Sequence, residues 1–304
     1  MIRKCDSLLD LIRDSTIVRI APRAISRPGA EIWAQLELAL PGAMKDRVAL
    51  QMIEDAEASG ALRPGAVIVE SSSGTMGEGL ARVGVLRGYR VLIVSDPRLD
   101  DNAKAKLRSL GAELEIVQEY DPVGGWQSSR LRRQREVVAR MPNAFWVRQY
   151  DSASNPRAYA GVARGLAEAL PRLSALVATV GSGGSLNGIS RALRAIAPAV
   201  AIVAVDAAGS VIFNQPDTRR LQSGHGNSLI PGNVAYEVVD EVHWVSDGEA
   251  FAGCRELARR NAIFAGGSSG AAYVVASWVA ERFEPDRQVA VVLPDRGDRY
   301  VGTV

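Results

Sequence analysis

Short apolar runs that alternate with helix-length stretches constrain this chain more than any other feature. Residues 66–70 (AVIVE), 89–95 (YRVLIVS), 175–180 (ALVATV), 201–206 (AIVAVD) and 289–293 (VAVVL) are apolar on both faces. Strands of that kind are buried in a sheet whose two faces are covered, which in practice means parallel strands joined by helical crossovers. Further strand patterns fall at 16–20, 31–38, 112–117, 145–150 and 242–246. Helical periodicity is expected over 45–58, 78–86, 158–170, 186–195 and 247–261, in an arginine-rich stretch after Trp126, and after the small-residue run 265–270. Strand and helix alternate in two sets, so the chain reads as two α/β lobes with no flexible linker between them.

The inventory of reactive side chains excludes several chemistries. Two cysteines, Cys5 and Cys254, stand far apart, and the only histidines are His225 and His243. A structural zinc site, a disulfide framework and a Ser-His-Asp hydrolase each lack parts, and no metal is expected. Both cysteines read as inert packing residues. Residues 1–15 carry charge within their apolar run and contain no signal-like core, and no stretch approaches a membrane span. The chain is therefore expected to be cytoplasmic. A net charge of +2 demands no polyanionic partner. The basic run at 130–135 (RLRRQR) lacks interleaved aromatics and reads as a solvated helix face, so no nucleic-acid partner is expected.

Three Ser/Gly-rich loops run into helix starts: Ser71-Ser72-Ser73-Gly74-Thr75-Met76-Gly77, Gly181-Ser182-Gly183-Gly184-Ser185 and Ala265-Gly266-Gly267-Ser268-Ser269-Gly270. Free backbone N–H groups and the helix dipole suit an anion there, and glycine permits its close approach. The loop at 181–185 directly follows a buried strand and is the best phosphate candidate. A dinucleotide fold is the first rival, since Asp206 ends the next strand, but Gly181-x-Gly183-Gly184 is not G-x-G-x-x-G. The Walker loop is absent. Only four of the 36 basic residues are lysines: Lys4, Lys45, Lys104 and Lys106. Lysine, unlike arginine, can lose its proton when desolvated and attack an aldehyde. Lys45 alone follows a Pro-Gly turn, Pro41-Gly42, and opens a helix with apolar positions Val48, Met52, Ile53 and Ala56.

Taken in order, these motifs resemble the cysteine synthase family of pyridoxal-phosphate enzymes, the β-replacement group of fold type II. Thr16-Ile17-Val18-Arg19-Ile20 resembles that family's T-P-L-V-R-L, and residues 41–47 resemble its N-P-x-x-S-x-K-D-R. Residues 72–77 stand where the family has T-S-G-N-T-G, and Gly181 to Ser185 where it has the G-T-G-G-T phosphate cup. The resemblance implies a two-lobed fold of the tryptophan synthase β type, each lobe a mainly parallel sheet flanked by helices. Residues 1–40 and 148–304 would form the larger, cofactor-binding domain, and 41–147 a smaller, mobile, substrate-binding domain.

The resemblance also implies roles. Lys45 would be the Schiff-base lysine and catalytic base. Pyridoxal 5'-phosphate would be held by Lys45, Thr75, Gly181, Ser182, Gly183, Gly184, Ser185 and Ser268. Ser72, Ser73, Gly74, Thr75, Met76 and Gln149 would bind the substrate. Ser268 would meet the pyridine nitrogen, and a neutral hydroxyl there would leave that nitrogen largely unprotonated, favouring β-elimination through an aminoacrylate. The partners implied are an amino acid and a small nucleophile, with a homodimer as the assembly.

Departures from the pattern bear on the substrate. Thr75 and Met76 replace an asparagine and a threonine, Ala43 replaces a serine, the loop before Lys45 is one residue short, and Tyr159-Ala160-Gly161 replaces a histidine and its paired threonine. Residues 70–76, 122–127 and 241–245 and the terminal Arg299-Tyr300-Val301-Gly302-Thr303-Val304 look most like the S-sulfocysteine synthase branch. That branch implies O-phospho-L-serine as donor and thiosulfate, or else sulfide, as nucleophile, giving S-sulfocysteine or cysteine. Arg219 and Arg220 are the candidates for the donor's phosphate, with His225 in the loop that follows. Around residues 209–213 the chain is also similar to diaminopropionate-precursor synthases, which use a nitrogen nucleophile. Serine or threonine dehydration and a non-catalytic binding module are the remaining alternatives.

Overall fold

A computed structural model describes residues 4–24 and 27–302. Thr303 and Val304 of the terminal motif, and residues 1–3 of the N-terminal stretch, lie outside the described residues. In chain order the elements are α1 (Leu8–Ile12), β1 (Ile17–Ile20), β2 (Glu31–Leu36), α2 (Lys45–Ala58), β3 (Val67–Ser71), α3 (Thr75–Arg87) and β4 (Arg90–Ser95). There follow α4 (Asp101–Ser109), β5 (Glu113–Ile116), α5 (Gly125–Arg140), β6 (Ala144–Trp146), α6 (Ser154–Arg157), α7 (Ala160–Ala169) and β7 (Leu173–Thr179). The last are α8 (Gly184–Ile196), β8 (Ala201–Ala207), β9 (Glu241–Val245), α9 (Asp247–Asn261), α10 (Gly267–Ala280) and β10 (Gln288–Leu293).

The chain divides into two compact lobes, one of Met1–Arg13 and Met44–Ser154, the other of Asp14–Ala43 and Asn155–Val304. The first lobe holds a four-stranded sheet in the order β5-β4-β3-β6, with every pairing parallel. The second holds six strands in the order β1-β2-β10-β7-β8-β9, parallel throughout except for the β1–β2 pair. The central strands β3, β8 and β10 are buried along almost their whole length, as their uninterrupted apolar runs require.

Each sheet reverses its strand order once. In the first lobe the chain steps outward from β3 to β4 to β5 and then returns to the far side of β3 as β6. In the second it steps from β7 to β8 to β9 and returns to the far side of β7 as β10. Loops leaving the carboxyl ends of two such strands diverge and leave a crevice, the place where open α/β sheets bind ligands. Those loops begin at Ser72 and Val147 in the first lobe, and at Val180 and Pro294 in the second.

Four elements differ from their sequence patterns. The strand expected over 145–150 stops at Trp146, because Arg148 takes a left-handed φ of 58° and its carbonyl accepts from Asp151 and Ser152. Gln149 therefore lies in a turn. Helices α3 and α8 start at Thr75 and Gly184, before the expected 78 and 186, since the Ser/Gly residues themselves form the first turn. The arginine run on α5 is not wholly solvated either: Arg130 turns inward and donates to the buried Asp96 at 2.8 Å, beside a buried Gln134. Among the described residues no helix is long and apolar enough to cross a membrane.

The first turn of α2 is tied to α3 by a buried ion pair. Arg82 Nη1 donates to Asp46 at 2.6 Å, and the Asp46 side chain is only 1% exposed. Removing one member strands the other charge in a low-dielectric site, which costs about 3–5 kcal/mol. Arg82→Ala is expected to lower the urea-unfolding free energy of the protein by that amount, and Arg63→Ala, at an exposed position, by less than about 0.5 kcal/mol.

Candidate active site

In the first lobe, Lys45 occupies the first turn of α2, next to the Asp46–Arg82 pair. Helix α3 lies so close that a Cβ on Gly79 would sit 2.9 Å from the Lys45 carbonyl. Desolvation by the surrounding protein pushes the Lys45 ammonium down to about 8. A large part of the amine is thus neutral and nucleophilic at mildly alkaline pH. Ala43, two residues upstream, has a φ of 131°, a strained conformation for alanine where the loop is one residue short.

The loop 72–77 closes on itself. Ser72 Oγ accepts from the backbone N–H groups of Gly74 and Gly77, both at 3.1 Å, and donates to the Gly74 carbonyl. Ser72 therefore caps α3 and shapes the loop, while Ser73, Gly74 and Thr75 are only half-buried and Met76 is buried. Gln149 is brought to the same place: its side-chain amide donates to the Ser71 carbonyl at 3.4 Å.

Glu70 holds these parts together, and sequence reasoning gave it no role. Its carboxylate is 1% exposed and accepts from the Ser71 N–H at 2.8 Å, the Gln149 N–H at 3.2 Å and the Gln134 amide at 3.3 Å. Burial pushes it up to about 7, against the hydrogen bonds that hold it down. A lone carboxylate ending an otherwise apolar buried strand was the signal available in AVIVE. Glu70→Ala leaves three buried donors without their acceptor, each costing about 1–3 kcal/mol. It is expected to raise KM for the amino-acid substrate at least about tenfold with a smaller change in kcat, because the turn that carries Gln149 loses its anchor.

The three anion-loop candidates, one in the first lobe and two in the second, separate. Helix α10 is capped from outside by Asp295, which accepts from the Ser269 N–H at 3.3 Å. Like α3, it has its first-turn donor satisfied by a side chain. Helix α8 has no side-chain cap, and its N-cap residue is Gly183 with a φ of 82°. A Cβ on Gly181 would lie 2.5 Å from the Gly224 carbonyl oxygen, one on Gly183 2.6 Å from the Asn233 backbone, and one on Gly184 inside the Asn155 amide. Ser182 and Ser185 are buried beside them, and the Asn155 amide donates to Ser182 Oγ at 3.0 Å. Gly224 bridges this cup to Ser268, whose Oγ lies 3.6 Å from where a Gly224 Cβ would be. Ser268 in turn donates to Asp295 at 2.7 Å.

The arginine pair divides. Arg220 is spent on its own loop, donating to Ser228 Oγ at 2.7 Å, to Asp217 at 2.9 Å and to the Gly209 carbonyl. Arg219 is exposed. His225 is buried, with both ring nitrogens unpartnered, and burial pushes it down to about 4, so it is a neutral packing group of the Gly224–Gly226 loop. Cys254 donates its thiol to the Gly266 carbonyl and is pushed up to about 12 by burial, far from thiolate chemistry.

Residues 9–295 match the family described as pyridoxal-phosphate dependent enzymes. The chain is 38% identical over 301 residues to N-(2-amino-2-carboxyethyl)-L-glutamate synthase of Ralstonia nicotianae, covering 98% of this chain and 89% of that one. Among solved structures, O-ureido-L-serine synthase superposes with a TM-score of 0.91 at 29% identity, covering 99% of this chain and 95% of that chain. O-acetyl serine sulfhydrylase isoform 3 from Entamoeba histolytica gives a TM-score of 0.91 at 27% identity, covering 99% and 91%. The chemistry of the residues fits the cofactor. An uncapped, glycine-lined helix start suits its phosphate, and a lysine near neutrality suits its aldehyde.

Proposed function

Since the chain belongs to the pyridoxal-phosphate dependent enzymes and is of the cysteine synthase type, we propose that it replaces the phosphate of O-phospho-L-serine with the amine of L-glutamate. The products are N-(2-amino-2-carboxyethyl)-L-glutamate and inorganic phosphate. The observation that carries this reading is the full-length likeness to the Ralstonia synthase of that product.

Residue roles follow from chemistry and placement. The half-buried Ser73, Gly74 and Thr75, at the start of α3, bind the substrate carboxylate with Gln149, while Ser72 shapes their loop and Met76 packs behind it. Gly181, Ser182, Gly183, Gly184 and Ser185 would hold the cofactor phosphate, and Ser268 would meet its ring nitrogen. The cofactor, when bound, supplies the electron sink for the substrate's α-carbon. Lys45, held near neutrality, takes the α-proton and returns one when the nucleophile has added. Arg219, exposed, is the better placed of the pair for an anionic leaving group, with Arg220 as the clamp that fixes its loop. The homodimer implied by the family resemblance is part of this proposal.

The second reading keeps the donor and changes the nucleophile to thiosulfate or sulfide. It is favoured by the likeness to an O-acetyl serine sulfhydrylase and by the motif resemblance to the S-sulfocysteine synthases. One experiment separates the two. The protein is incubated with O-phospho-L-serine and an equimolar mixture of L-glutamate, thiosulfate and sulfide, and the adducts are read by mass spectrometry. The glutamate adduct is expected to dominate; S-sulfocysteine or cysteine as the main product would replace the nitrogen reading with the sulfur one.

A further inference from the structure

Between β8 and β9, residues 208–235 contain neither helix nor strand, so side chains from other elements hold that loop in place. Asp247 accepts from the backbone N–H groups of Leu221 and Gln222 at 2.9 and 3.1 Å, and the Gln222 amide donates to the Val245 carbonyl at 3.1 Å. The next residue, Ser223, is taken by Tyr300, from the far side of β10. The phenol oxygen accepts from the Ser223 N–H at 3.0 Å, its hydrogen goes to the Ser223 carbonyl at 3.1 Å, and Ser223 Oγ lies 2.5 Å away. With the Ser223 hydroxyl donating to it, the phenol's one hydrogen and two lone pairs all go to a single residue. Tyr300 is buried, and its ring packs on Phe251 at 5.5 Å between centroids, with Cys254 beside them. Burial pushes the phenol up to about 12, so it keeps its hydrogen across the neutral range.

What Tyr300 holds bears on the start of α8. Gly224, next to Ser223, has a φ of 92°, and its carbonyl oxygen lies 2.5 Å from where a Gly181 Cβ would be. Gly226 donates its N–H to the Val180 carbonyl at 2.8 Å. Residues 223–226 are thus a wall laid along Val180 and Gly181. We propose that Tyr300 is a positioning residue for the cofactor's phosphate: its hydroxyl fixes that wall, and the wall sets the shape of the loop that opens α8. This rests on the reading that residues 181–185 hold that phosphate. Without the hydroxyl, the Ser223 N–H and carbonyl lose their partner, and the wall no longer has one fixed position.

Tyr300→Phe tests this, because it removes the hydroxyl and keeps the ring on Phe251. The apoproteins are titrated with pyridoxal 5'-phosphate and with pyridoxal, which lacks the phosphate, and both dissociation constants are read by fluorescence. Tyr300→Phe is expected to weaken pyridoxal 5'-phosphate about tenfold, the loss expected when a buried N–H gives up its partner, and to leave pyridoxal unchanged. The preference for the phosphorylated ligand then falls, which a general loosening of the protein would not produce. Tyr273→Phe is the matched control. Its hydroxyl donates to the Ala21 carbonyl at 3.0 Å, elsewhere in the same lobe, and neither constant is expected to change. Where Tyr300→Phe is not recovered folded, Phe251→Leu serves: it lets the phenol shift without removing the hydroxyl, with the same expected fall in preference. Equal weakening of both ligands, or wild-type constants for both, overturns the proposal. Gly183→Ala, measured alongside, separates the two ways of failing. If Gly183→Ala loses the preference and Tyr300→Phe keeps it, this inference alone is wrong. If both keep it, the reading of residues 181–185 as the phosphate site is wrong.

Discussion

Lys45→Ala is expected to lower kcat at least about 10³-fold, since the general base contributes about 10²–10⁴ on its own and the covalent tether to the cofactor is lost as well. Lys45→Arg is expected to be no better, because a guanidinium keeps its charge yet neither forms an imine nor gives up a proton. Both variants should still bind pyridoxal phosphate noncovalently, since the glycine cup around α8 is untouched. The other lysines offer an internal control. Lys4 is exposed near the N-terminus, and Lys104 pairs with Asp101 at 2.9 Å on the polar α4. Borohydride reduction of the holoenzyme followed by peptide mapping should label Lys45 and leave Lys4, Lys104 and Lys106 unmodified. The rate of labelling of the apoprotein should rise through about pH 8, following the desolvated amine. An ordinary lysine titrates near about 10.4 and would be almost wholly charged there.

Gly183→Ala should have the second largest effect. The residue sits at a φ of 82° as the N-cap of α8, and a Cβ there would lie 2.6 Å from the Asn233 backbone. Left-handed geometry costs an L-residue about 1–2 kcal/mol, and the backbone contact can be relieved only by shifting the loop that opens α8. The cofactor dissociation constant is expected to rise about 100-fold, equivalent to about 2.7 kcal/mol, as read by fluorescence titration of the apoprotein. Gly248→Ala in α9 is the matched control. Nothing lies within 4 Å of its Cβ position, and affinity should be unchanged.

How far the sequence announced this site varies with the kind of signal. Strand positions were legible because a strand buried on both faces must be apolar throughout, as β8 and β10 are. The uncapped, glycine-lined start of α8 is legible because glycine has few other reasons to cluster directly after such a strand. Lys45 stood out by scarcity, in a chain that takes nearly all its positive charge from arginine. The helix starts of α3 and α8 fall earlier than the sequence pattern places them because a first turn rich in serine and glycine looks like loop. The sequence pattern places Gln149 in a strand because nothing local shows that Arg148 will adopt a positive φ; Glu70, far away in sequence, holds that turn. Ser72 and Arg220 show the complementary limit. Their residue types suit a ligand, yet both are engaged in hydrogen bonds to their own loops, a matter of tertiary geometry. Glu70 and Asp295 were passed over because a single carboxylate at a strand end carries no local pattern. Their importance appears only when the strand order places each beside a switch point.

The most direct measurement is the visible absorption of the purified holoenzyme during addition of O-phospho-L-serine, with O-acetyl-L-serine in parallel and inorganic phosphate assayed in each sample. The cofactor band is expected to change with O-phospho-L-serine alone, one phosphate is expected to be released for each change, and L-glutamate is then expected to restore the original band. A band unmoved by O-phospho-L-serine, or a change that L-glutamate does not reverse, would contradict it.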